Sequence, residues 1–247
     1  MTVKQIGLPT WSTPRLYPTS DGDLVTDFAE TFLHVSKGVL AGEALRLTDW
    51  QSGLLESLYE RRADGLLRYR RSLIGLARKN GKSLIGSVCA LYGLIEGEPG
   101  AEVYSAAGDR MQARIVFNEA KWQISQSASL SGICKVYRDV VEVPSTGAIY
   151  RVLSADAKLQ QGLNPSTVIF DEVHVQPNQD LWDALSLGMG ARKDPHIIGI
   201  TTAGFDPDSL CGRLYDYGKR VIAGDQLDER FGMWWWEAPE GLSLIHI

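Results

Sequence analysis

The chain has 247 residues, of which 44% are apolar and 22% charged, and a formal net charge of −5. That composition excludes a disordered chain, a collagen and a coiled coil, and no window approaches the ~18 consecutive apolar residues of a membrane span. The opening MTVKQIGLPTW lacks the basic head and apolar run of a secretory signal. Cys89, Cys134 and Cys211 are odd in number and widely spaced, which argues against a zinc site and suits a reducing compartment. A soluble, intracellular chain of one large domain, or of one domain plus an extension, is expected.

Turn signals at Pro14, Pro18 and Ser20-Asp21-Gly22 precede a predicted helix from Asp23 to His34. From Tyr69 onward short apolar runs alternate with helical stretches. Ser72–Ala77 is predicted as a buried strand, Lys82–Ile95 as a largely apolar helix and Glu102–Ala106 as the next strand. Asp109 opens a long helix with Ala113, Val116, Phe117, Ala120 and Ile124 on one face. A hairpin is predicted from Val136–Val143 and Ala148–Leu153 through Pro144-Ser145-Thr146-Gly147. Strand Val168–Phe170, helix Gln179–Leu187, strand His196–Thr202 and helix Ser209–Ala223 follow. This alternation predicts an α/β fold with a mainly parallel sheet covered by helices on both faces.

Residues 1–60 are expected to form an N-terminal segment, 61–225 a phosphate-loop core and 226–241 the start of a linker. The last six residues, 242–247, are set apart as an expected sequencing-adapter artefact, because LSLIHI is the translation of CTG TCT CTT ATA CAC ATC.

Strand Ser72–Ala77 runs into Arg78-Lys79-Asn80-Gly81-Lys82-Ser83 and then an apolar helix. Strand, tight loop and helix N-terminus are the setting of a phosphate-binding loop, where free backbone N–H groups point at an anion. Lys82 would reach the β- and γ-phosphates and the Ser83 hydroxyl would ligate Mg²⁺. The match is imperfect: where the full pattern has its first glycine this chain has Leu76, with Gly75 one position early. Val168-Ile169-Phe170-Asp171-Glu172 offers the second element, an apolar strand ending in two carboxylates. There Asp171 would hold Mg²⁺ and Glu172 would take a proton from the attacking water. His174, close behind, reads as a packed or surface residue rather than a metal ligand. Strand Ile197–Ile200 ends in Thr201 and Thr202, hydroxyls suited to sensing the γ-phosphate and relaying its loss. Upstream, Trp50 and Gln51 pair an aromatic ring with a bidentate amide, which suits adenine.

Charge is uneven. Between Glu60 and Lys82 eight basic residues, Arg61, Arg62, Arg68, Arg70, Arg71, Arg78, Lys79 and Lys82, face only Glu60 and Asp64. Either a solvated basic face or an anionic partner would account for this run.

In order, these motifs resemble the large terminase subunits of tailed phages. Ala77–Ser83 is similar to that family's deviant phosphate loop, which also lacks the first glycine and carries basic residues. Leu47–Gln51, Ala106–Ala113 with Asp109, Arg110 and Gln112, Gly162-Leu163-Asn164-Pro165, Asp171–His174, Leu181–Ala184, Gly188–Arg192 and Thr201–Gly204 complete the resemblance. It spans roughly residues 20–225. It implies a RecA-like P-loop ATPase, with Lys79, Asn80 and Gly81 in its nucleotide loop, that packages double-stranded viral DNA. The expected partners are a portal protein, a small terminase subunit and other copies of the chain in a ring, with no membrane, in the host cytoplasm during virion assembly. An arginine finger is implied too, from Arg78 in cis or from Arg110 or Arg192 across a subunit boundary. A carboxy-terminal nuclease belongs to the family, and its activity is expected only of the full-length protein. Two other readings of the same motifs are a DExH-type helicase fragment and a non-hydrolysing ATP-binding oligomerisation module. The helicase needs a second motor domain, and the module has no use for Glu172.

Overall fold

The computed structural model describes residues 7–153, 162–202 and 206–237. Residues 242–247, with the artefact reading attached to them, lie outside that set, as do Ala203 and Gly204. Elements run in the order β1 (Trp11–Ser12), α1 (Gly22–Phe32), α2 (Asp49–Leu58), β2 (Arg71–Gly75), α3 (Lys82–Ile95), β3 (Glu102–Ala106), α4 (Arg110–Gln126) and α5 (Ala128–Ile133). They continue with β4 (Lys135–Val136), β5 (Val140–Val143), β6 (Ala148–Val152), β7 (Thr167–Asp171), α6 (Asp180–Gly188), β8 (His196–Thr201), α7 (Leu210–Ala223) and β9 (Phe231–Trp235).

Local chemistry explains most boundaries. Asp109 caps α4 by accepting a hydrogen bond from Met111 N at 2.6 Å, and Ser209 caps α7 through Gly212 N; both satisfy donors that a helix start leaves unpaired. Gly224, at φ 82°, ends α7 in the left-handed conformation that glycine adopts at little cost. Within the strands successive residues face opposite sides. Ile74, Val103, Ile169 and Ile198 join one core with α1 to α4, while Leu73, Tyr104, Phe170 and Ile197 join another with α6 and α7.

Among the described residues the strands form one nine-stranded sheet in the order β1-β9-β2-β8-β7-β3-β6-β5-β4. The six strands from β9 to β6 are mutually parallel, flanked by antiparallel β1 on one side and β5 and β4 on the other. The expected α/β sheet with helices on both faces is therefore present. Several features differ from the sequence reading, among them the short strand β1 and helix α5, which it did not contain. The first predicted hairpin strand is broken into β4 and β5. Helix α2 was not anticipated. Residues 231–235, read as linker, are β9, inserted beside β2 with Gly75 opposite Trp235. An aromatic run such as Phe231–Trp235 fits a strand or a linker equally well, and only its partner decides.

The fold also settles the basic run. Arg61 pairs with Asp21 and Asp194, Arg62 with Asp64 and Arg71 with Asp228. Arg68 pairs with Glu60 at 2.9 Å in the interior, both side chains almost wholly buried. Strand β2 carries this part of the run to one end of the sheet and delivers Arg78, Lys79 and Lys82 to the other. Arg61, Arg62, Arg68 and Arg71 are absorbed by intramolecular ion pairs and Arg70 donates to the Met189 and Arg192 carbonyls, whereas Arg78, Lys79 and Lys82 stand at the loop.

Candidate active site

Strand β8 lies between β2 and β7, so the carboxyl ends of three parallel strands present their following residues side by side. In register, Gly75 stands opposite Thr201, and Asp171 opposite Ile200. Ligand crevices of open α/β sheets form at such carboxyl ends.

After β2 the chain turns through Arg78–Gly81 into α3. Gly81 caps the helix at φ 77°, and Lys79 also takes a positive φ of 68°, a conformation that costs a non-glycine residue about 1–3 kcal/mol and gathers at functional sites. Gly75 is not a loop glycine. It sits inside β2, where an added Cβ would lie 2.0 Å from the Trp235 ring, so close packing with β9 explains it. Lys82 and Ser83 are the first residues of α3. The Lys82 ammonium is largely buried, and burial lowers its pKa. Glu172 and Asp171 oppose that shift, while Arg78 adds to it.

Asp171 ends β7 and is 4% exposed. Burial, and then the neighbouring Glu172 charge, raise its carboxyl to about 6. Its Oδ1 accepts the Glu172 backbone N–H at 2.9 Å. Glu172 holds a left-handed backbone at φ 50° and ψ 52°, which throws its side chain back toward the loop. Glu172 Oε1 lies 3.9 Å from Lys82 Nζ, and Oε2 lies 3.1 Å from His174 Nδ1. A 3-10 turn at Val173–Val175 then places His174 against the tip of β8. Thr201, fully buried, accepts the His174 backbone N–H at 3.1 Å. His174, expected as an isolated packed or surface residue, thus touches both a predicted proton acceptor and the predicted coupling hydroxyls.

Gln51 is buried and its role is partly structural. Its Oε1 accepts from Thr48 N at 2.9 Å and from Thr48 Oγ1 at 3.0 Å, completing a capping box for α2. Its Nε2 is turned to the loop, 3.2 Å from where a Cβ on Gly81 would stand. Trp50 meets Trp236 edge-on with ring centres 5.5 Å apart. Both line a cavity of about 560 Å³ with Trp234, Leu54, Leu8 and Pro9. Trp236 was not anticipated, because nothing local in the sequence ties it to Trp50.

The finger candidates differ in their surroundings. Arg192 is anchored by Glu98 at 2.9 Å, Gly100 O and Asn164 O, among residues flanking the opposite end of β3. Arg110 is half exposed at the start of α4, sharing Asp139 with Arg114. Arg78 is in the loop itself.

Comparison with known proteins places the chain in a family. The family described as terminase large subunit, ATPase domain, matches residues 49–220. The large terminase subunit of Enterobacteria phage HK97 is 32% identical over 197 residues, covering 76% of this chain and 38% of that protein. The large terminase subunit of Lactococcus phage p2 is 29% identical over 150 residues, 58% of this chain and 28% of that protein. This chain therefore spans between about a quarter and two fifths of the curated relatives it matches. In three dimensions the HK97 large terminase superposes with a TM-score of 0.78 at 24% identity, over 92% of this chain and 46% of that one. The large terminase of a thermophilic bacteriophage, in a complex with ADP, superposes at 0.53 and 11% identity, over 68% of this chain and 40% of that one. These two likenesses establish the fold, a RecA-like mainly parallel α/β sheet. With a family match over most of its length, the chain belongs to the terminase large-subunit ATPase-domain family.

Proposed function

We propose that this chain is the ATP-hydrolysing motor domain of a large terminase subunit, which drives double-stranded viral DNA into a procapsid. The observation that carries the reading is the convergence of Lys82, Asp171, Glu172 and Thr201 at the ends of three adjacent parallel strands. A helicase fragment or an inert binding module would not be expected to match this family from residue 49 to 220.

In this reading Lys79, Asn80 and Gly81 turn backbone N–H groups toward the phosphates, and Lys82 reaches the β- and γ-oxygens as a point charge. Trp50 and Gln51 meet the adenine, with the Nε2 end of Gln51 free for it. The residues fit a magnesium ion: Asp171 is a buried carboxylate crowded by a second one, short of positive charge, and Ser83 offers a hard oxygen donor. Those two would hold the ion, which supplies charge neutralisation of the phosphates. Glu172 accepts the proton of the attacking water, its carboxylate steered by the left-handed backbone. Arg78, on the loop, serves as the charge-stabilising arginine in cis, and Arg110, exposed, is the remaining candidate for action in trans. Thr201 and Thr202 carry the loss of phosphate to the rest of the sheet. Portal protein, small terminase subunit and further copies in a ring are the proposed partners, in the host cytoplasm during virion assembly. Nuclease activity is proposed for the full-length protein only.

The test is Mg-ATP turnover over a range of protein concentrations. Glu172→Gln should keep nucleotide binding and abolish turnover, and Lys82→Ala should weaken binding itself. Persistent hydrolysis in the first variant, or unchanged affinity in the second, would refute the assignments. A rate per subunit that climbs with concentration places the arginine in trans; a constant rate places it on Arg78.

A further inference from the structure

The protons around His174 are in competition. The Thr201 hydroxyl donates its single proton to Thr202 O at 2.8 Å. It accepts the His174 backbone N–H at 3.1 Å, and it also stands 3.1 Å from His174 Nδ1. With its own proton already committed, Thr201 can only accept there, so the ring proton sits on Nδ1. The same Nδ1 faces the Thr202 hydroxyl at 3.4 Å and Glu172 Oε2 at 3.1 Å. A carboxylate beside a bare ring nitrogen would be repelled, so this contact also requires the proton on Nδ1. One N–H therefore faces three oxygens. Glu172 Oε2 is buried and accepts no hydrogen bond, so in this arrangement the proton is committed to the threonines.

We propose that His174 is a positioning residue that latches the Glu172 carboxylate to the tip of β8. The inference rests on the reading of Glu172 and Thr201 given above. The latch has two settings. With Nδ1–H on Thr201, the β8 tip is held and Glu172 is left to its contact with Lys82. With Nδ1–H on Glu172 Oε2, the carboxylate is fixed with Oε1 toward the loop, and Thr201 is released from the ring. Each setting is a single hydrogen bond of similar length, so a small displacement of Glu172 moves the balance. A buried acceptor left without a donor favours the second setting whenever the carboxylate shifts toward the ring. The catalytic carboxylate and the coupling strand would thus share one donor and could not both hold it at once.

The distinguishing experiment uses the whole chain and replaces His174 by Asn, Gln and Ala, alone and with Thr201→Val. Asn carries an amide N–H where the ring has Nδ1, whereas Gln carries it where the ring has Nε2. The expected result is a fall of about tenfold or more in kcat for His174→Ala and His174→Gln, with KM for ATP within about twofold of the parent. His174→Asn should stay within about threefold of the parent. The His174→Ala/Thr201→Val double variant should be no slower than the worse of its two parents, because both cut the same link. A His174→Ala enzyme with unaltered kcat, a defect confined to KM, or multiplicative losses in the double variant would overturn the latch. If the Ala variant does not fold, the Asn and Gln pair decides: equal activity in those two overturns it. Parent protein without turnover that Glu172→Gln abolishes would overturn the site reading and the latch together. Turnover sensitive to Glu172 yet indifferent to His174 would overturn the latch alone.

Discussion

His196 begins β8 at the end of the sheet away from the Arg78–Gly81 loop, and it makes the fold sensitive to acid. The ring is 2% exposed. Its Nε2 lies 2.7 Å from Ser72 Oγ, its Nδ1 has no partner, and Tyr59 packs against it edge-on. Burial, reinforced by the Arg230 guanidinium, pushes its pKa from 6.5 down to about 3. Below pH 6.5 the unfolded chain takes up a proton at this ring that the folded chain refuses. The stability is therefore complete above pH 6.5 and is lost as pH falls from there toward 3. At pH 5.0 the difference in proton affinity is worth about 2 kcal/mol, at 1.36 kcal/mol per pH unit below 6.5. Replacing His196 by Leu removes the titrating group. It also leaves the Ser72 hydroxyl without its partner, at a cost of about 1 kcal/mol that does not depend on pH. Urea unfolding of parent and variant at pH 7.5 and pH 5.0 separates the two effects. The variant should be slightly less stable at pH 7.5 and should lose about 2 kcal/mol less than the parent on acidification. Equal losses in the two proteins would show that His196 is not held neutral, and would refute the reasoning.

Two further predictions concern packing and charge. Gly75→Ala drives a methyl group to 2.0 Å from the Trp235 ring. It should lower stability by about 2–3 kcal/mol in denaturant titration, and weaken ATP binding because the loop starts there; an unchanged midpoint would mean that β9 is not fixed against β2. Arg68→Met leaves the fully buried Glu60 with Leu16 N, Tyr17 N and the Tyr69 hydroxyl as donors but no counter-charge. A loss of about 3–5 kcal/mol is expected, largely recovered by adding Glu60→Gln. A double variant as unstable as the single one would show that the cost is lost packing rather than a stranded charge.

The elements that present the candidate site were legible because their signals are local. A helix start is written in one turn of sequence, so Asp109 and Ser209 announced α4 and α7, and Lys82–Ile95 coincides with α3. The capping box of Thr48 and Gln51 was equally local, yet Gln51 was read only as a base contact and α2 was missed. The loop, the carboxylate pair and the threonines could be named from the sequence because each follows a short apolar run within a few residues. What the sequence left open depended on partners far along the chain. The basic run was ambiguous until Asp194 and Asp228, more than 130 positions away from their arginines, came into contact with it. Phe231–Trp235 was a strand only by virtue of β2 and β1. The placement of β8 between β2 and β7, which brings Thr201 within reach of His174, was decided by sheet order alone. Periodicity along a strand fixes which residues are buried. Which strands become neighbours is fixed by long-range closure and packing, and no window of sequence contains that information.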